Sequence, residues 1–82
     1  MSKVVMYTTR TCPFCKMQKD YLVGRGVHYE EILVDENPGK AEEMIAISGQ
    51  MGVPFTVIDK ENGERVTILG FDRARIDQAL DI

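Results

Sequence analysis

With 82 residues, the chain has room for one domain spanning residues 1–82 and for a modest core. At 44% hydrophobic and 28% charged it has the balance of a folded globular protein, not of a disordered one. A net charge of −3, with basic residues scattered among acidic ones, excludes a general nucleic-acid binder, which needs a basic stripe.

The opening MSKVVMYTT has no long apolar region and no small-residue cleavage pattern, so no secretory signal is expected. No apolar run approaches the roughly 18 residues of a membrane-spanning helix, and no membrane partner is expected. The expected location is the cytoplasm, where thiols are kept reduced. Val4-Val5-Met6-Tyr7-Thr8 is a continuous β-forming run and predicts a strand buried on both faces, with Tyr7 in the core. A helix is predicted from Pro13 to Val23: proline suits the first turn, Phe14, Met17 and Tyr21 recur at helical spacing, and Gly24 and Gly26 end it. Val27 to Val34 returns to β character, with His28 read as a surface residue.

Asn37 followed by Pro38 predicts an N-cap and first turn. The helix behind it sets Ala41, Met44, Ile45 and Ser48 on one side and stops at Gly49. Phe55 to Ile58 reads as a strand, and Asn62-Gly63 before Arg65–Leu69 signals a hairpin. Asp72 is placed to cap a last helix with Ile76, Ala79 and Leu80 inward. Met6, Met17, Met44 and Met51 are read as packing residues. The order is β-α-β-α-β-β-α. Two strands flanking a helix pair in parallel and the last two form an antiparallel hairpin, which predicts an α/β domain. Its mixed four-stranded sheet is flanked by three helices, in the thioredoxin-like order.

The chemistry is concentrated in TCPFCK, which holds the only two cysteines, Cys12 and Cys15. A structural zinc site wants four ligands, and two cysteines plus His28 on another element do not close one. A metal or iron–sulfur cluster shared between two chains through Cys12 stays open as an alternative. A disulfide across two residues closes a loop too short to stabilise much. Redox exchange fits better. Residues three apart on a helix lie about 5–6 Å from each other, within the Cα range of a disulfide. Cys12 falls at a helix N-terminus, where free N–H groups and the macrodipole favour negative charge, with Arg10 and Lys16 beside it. Its thiol is expected to ionise more easily than a free one and to act as nucleophile. Cys15, one turn in, is expected to be more buried and to resolve the mixed disulfide.

Over nearly its whole length the sequence resembles the glutaredoxin family. YTTRTCPFC resembles the family's strand-loop-CPYC opening, with Phe14 where Tyr is usual. SGQMGVPFTVID resembles the segment with the family's cis-proline, and LGFDRARIDQAL the stretch that opens the last helix. Alone, Val53-Pro54 reads equally as a cis bond in a tight turn or as a strand starting after proline. The resemblance implies the cis form, with Val53 pairing to substrate backbone. It also implies that Gly70 and Asp72 hold the γ-glutamyl end of glutathione, although Asp72 reads as well as a plain cap.

Leu69 and Arg73 replace a glycine and an acid of the family pattern, Gly52 stands where Thr is common, and Arg10 is one place from the family's usual cation. Arg10 serves glutathione only if its loop swings inward. Phe14 and Phe71 would form an apolar lip beside the cysteines. The resemblance implies a monomeric thiol–disulfide oxidoreductase with no bound cofactor. Glutathione or a flavin disulfide reductase would supply its electrons, and disulfide-containing proteins would receive them. Gly70-Phe71 also resembles a related branch, the glutaredoxin-like electron donors of ribonucleotide reductase that use thioredoxin reductase. That branch typically has Trp-Ser before Gly-Phe, and this chain has no Trp.

Overall fold

The β-forming run near the start of the chain becomes β1 (Lys3–Thr8), an inner strand of the sheet in the computed structural model, which describes residues 2–82. The other strands are β2 (Glu30–Leu33), β3 (Phe55–Asp59) and β4 (Arg65–Leu69), in the spatial order β2-β1-β3-β4. β1 runs parallel to β2 and antiparallel to β3, and β3 pairs antiparallel with β4. The helices are α1 (Pro13–Gly24), α2 (Pro38–Ser48) and α3 (Arg73–Leu80). This is the predicted thioredoxin-like order and mixed sheet.

Alternation along the inner strands divides the core in two. On one face, Val4, Met6, Ile58 and Ile68 pack with Cys15 and Leu22 of α1 and with Ile76 and Ala79 of α3. On the other, Tyr7, Phe55 and Val57 pack with Val34 and with Ala41 and Met44 of α2. Both faces of β1 and β3 are therefore covered, which explains why their sequences are nearly continuous in apolar residues. Among the described residues, no helix is long and apolar enough to cross a membrane.

Several local expectations shift. The second strand starts at Glu30 rather than Val27. The N–H of Val27 instead donates to Leu22 O at 2.9 Å, closing the end of α1, so it is not free for a ladder. In α1 the buried side is Cys15, Gln18 and Leu22, one residue out of phase with the Phe14-Met17-Tyr21 stripe. Phe14 and Met17 are 60% and 51% exposed. A polar residue, Gln18, takes the inward position because it finds a partner there, and the apolar pattern hid this.

In α2, Ala41 and Met44 are buried but Ile45 is exposed. The Asn37 side chain makes no capping bond; its backbone carbonyl accepts the N–H groups of Lys40 and Ala41. Met6 and Met44 are core residues, whereas Met17 and Met51 lie at the surface. The predicted hairpin forms: Gly63 adopts φ 87, its N–H donates to Lys60 O, and Lys60 N–H donates to Glu64 O. That is a three-residue loop with a left-handed position only glycine fills without strain.

Candidate active site at the start of the first helix

Cys12 is the N-cap of α1, with extended backbone (φ −90, ψ 110), and Pro13 occupies the first helical turn. The Cys12 sulfur accepts the N–H of Cys15 at 3.2 Å, as a capping side chain does. Cys12 is partly exposed, while Cys15 is 1% exposed beneath it. Burial pushes the Cys15 thiol up to about 12, and its hydrogen bond to the Cys12 sulfur adds to this. Cys15 therefore keeps its proton at neutral pH. Of the two sulfurs, the outer one is reachable and the inner one is a protonated reserve one turn away.

The second wall comes from across the sheet. The Val53–Pro54 peptide is cis, and the carbonyl oxygen of Val53 lies 3.9 Å from Cys12 Sγ. Gly70, with φ 82, donates its N–H to Pro54 O at 2.8 Å, fastening the end of β4 to this turn. Phe71, like Cys12 and Val53, packs against the α1/α3 core, and its ring lies 5.9 Å from that of Tyr21. A cysteine pair at a helix start facing a cis-proline turn can take up and pass on two electrons through a disulfide.

The glutaredoxin family model matches residues 4–62. The chain belongs to the glutaredoxin family. It is 35% identical over 78 residues to an uncharacterised glutaredoxin-like 8.6 kDa protein of the rubredoxin operon in Clostridium pasteurianum, covering 95% of this chain and 97% of that one. Glutaredoxin 3 of Escherichia coli is 42% identical over 62 residues, 76% of this chain and 75% of its own. The crystal structure of a glutaredoxin from Archaeoglobus fulgidus superposes with a TM-score of 0.80 at 29% identity, over 98% of this chain and 87% of that one. Glutaredoxins as a family are thiol–disulfide oxidoreductases that generally use glutathione and reduce disulfides.

Against that family the other predicted residues divide. Cys12, Cys15, Val53, Pro54, Gly70 and Phe71 come together. Phe14 lies between the two cysteines in the chain but projects into solvent. The Asp72 carboxylate caps α3, accepting Arg75 N–H at 3.1 Å. Arg10 is turned to another loop, where Asp35 and Glu36 hold it at 3.4 and 3.1 Å.

Two features under the site were absent from the sequence reading. Gln18 Nε2 donates to Thr56 Oγ1 at 2.6 Å with both residues buried. Glu31 takes the Lys19 ammonium at 2.9 Å and the Thr8 hydroxyl at 2.8 Å, tying α1 to β1 and β2. Burial raises the Glu31 carboxyl, but those two partners outweigh it and hold the group below its usual value. The only sequence hint was spacing: Gln18 is three residues from Cys15 and four from Leu22.

Proposed function

We propose that the protein is a dithiol oxidoreductase that reduces protein disulfides, glutathione mixed disulfides or both. Cys12 attacks one sulfur of the substrate disulfide, forming a mixed disulfide and expelling the other substrate sulfur as thiolate. Cys15 then gives up its proton and attacks the Cys12 sulfur, releasing the second substrate thiol and leaving a Cys12–Cys15 disulfide. Two electrons have passed to the substrate. Two glutathione thiols or a flavin disulfide reductase return them, and no bound cofactor is needed. The observation that carries this reading is the asymmetry of the pair: an accessible N-cap sulfur above a buried, protonated one.

In this reading Val53 offers its backbone to the substrate backbone, with Pro54 holding the turn. Phe14 and Phe71 flank the reacting sulfurs. For glutathione, Gly70 and Asp72 at the start of α3 receive the γ-glutamyl end. Arg10 reaches the glycine carboxylate only by exchanging Asp35 and Glu36. The protein works as a monomer in the cytoplasm.

The test supplies electrons from glutathione with its reductase, or from thioredoxin reductase, and follows NADPH consumption with a glutathione mixed disulfide and with a protein disulfide. Turnover that vanishes in Cys12→Ser is expected. Coupling to thioredoxin reductase alone would move the protein to the ribonucleotide-reductase-donor branch. No turnover with either source would overturn the proposal.

A further inference from the structure

Gly52 and Leu69 are complementary in size. A Cβ at Gly52 would lie 3.2 Å from Leu69 Cδ1, tighter than an ordinary contact, so the leucine occupies space that a side chain at position 52 would need. Leu69 is the last residue of β4, paired with Phe55, and the following Gly70 is bonded to Pro54. Both fastenings fix it relative to the cis-proline turn. Even so, Leu69 is 45% exposed. An open apolar side chain thus lies across Gly52, one residue from the Val53 carbonyl that faces Cys12 Sγ.

We propose that Leu69, seated on Gly52, is a specificity-determining residue: it forms an apolar subsite for the side chain next to the reacting cysteine of a polypeptide disulfide. The inference rests on the dithiol reading above. A substrate sulfur bonded to Cys12 lies about 2.05 Å from its sulfur, so substrate backbone is brought against Val53. Successive Cα atoms are about 3.8 Å apart, which carries the neighbouring substrate residue to the Gly52–Leu69 wall. Neither Gly52 nor Leu69 carries a charge, and Met51, the residue before Gly52, is apolar and 69% exposed.

Two cations close in the chain to Leu69 and to Cys12 are held elsewhere. Arg73 lies over the Tyr21 ring at 4.8 Å, and Arg10 is held by Asp35 and Glu36. A polypeptide with an apolar residue beside its cysteine covers Leu69. Glutathione, whose cysteine is flanked by glycine and a γ-linked glutamate, has no apolar side chain to place there. Differences of one apolar contact in a pocket change kcat/KM by about tenfold.

The experiment compares two matched disulfide peptides, with Leu or Ser beside the cysteine, and the mixed disulfide of glutathione with 2-mercaptoethanol. The wild type should favour the leucine peptide over the serine peptide by about tenfold in kcat/KM. Leu69→Ser should bring that ratio near one, and Leu69→Met should keep most of it. Circular dichroism and the thermal midpoint report whether each variant is folded. Equal wild-type rates on the two peptides, or a ratio unchanged in folded Leu69→Ser, would overturn the inference and leave the oxidoreductase reading standing. No turnover on any of the three overturns both.

Discussion

Gln18 and Thr56 meet side chain to side chain at 2.6 Å, in a part of the core where neither is more than 1% exposed. The bond joins the helix that carries both cysteines to the strand that follows Pro54. The second amide atom, Gln18 Oε1, has no hydrogen-bond partner among the described residues. Gln18→Leu should cost about 1–3 kcal/mol, because it strands the buried Thr56 hydroxyl. Gln18→Leu with Thr56→Val should recover most of that loss, since replacing both partners by apolar groups is close to neutral. Urea unfolding of the two single variants and the double variant checks this, and additive losses would contradict it.

The two cysteines should fail differently. Cys12→Ser removes the accessible sulfur and should abolish reduction of every disulfide. Cys15→Ser removes only the internal resolving step, so a second glutathione can still complete turnover on a glutathione mixed disulfide. Initial rates on that substrate and on a protein disulfide separate the two. Equal, slight losses from both variants would count against the assigned roles.

Alkaline stability follows from the inner thiol. The Cys15 pKa rises from 9.0 to about 12, mainly through burial, so the folded state holds this proton more tightly than the unfolded chain. Its contribution is complete below pH 9.0 and is lost as pH rises toward 12. Burial, first among several causes, also raises Tyr7 from 10.0, in the same sense. Denaturant midpoints should therefore fall between pH 9 and 11, and fall less in Cys15→Ala. A flat wild-type profile over that span would refute the prediction.

Tyr21 joins α1 to α3. Its hydroxyl donates to Asp77 Oδ1, and its ring meets Phe71 and the guanidinium of Arg73. Tyr21→Phe should cost about 1 kcal/mol by losing only the hydrogen bond. Tyr21→Ala should cost about 3 kcal/mol or more, because the packing and cation–π contacts go too. Thermal unfolding of both variants measures the difference, and a larger loss in Tyr21→Phe would be inconsistent with this packing.

The dithiol was legible because Cys12, Pro13 and Cys15 are contiguous, and a helix start fixes their geometry over one turn. The hairpin was legible for the same reason, since Asn62-Gly63 acts within its own loop. The phase of α1 was not, although its period was. The burial of Cys15 was expected, but whether Met17 or Gln18 turns inward behind it depends on where Thr56 lies in three dimensions, and Gln18 disguised the buried stripe as polar. Arg10 likewise stands near Cys12 in the chain, yet it turns to Asp35 and Glu36, residues about 25 positions away.

By itself, then, the sequence determined the strand and helix order, the thiol pair at a helix start, and the turn glycine, because each depends on contacts between near neighbours. Only tertiary structure decided that Gln18 rather than Met17 turns inward in α1 and that Gly52 lies beneath Leu69. It also set Val53 opposite Cys12. Those relations join residues 17 to 41 positions apart, and packing across the sheet, not local propensity, brings them together.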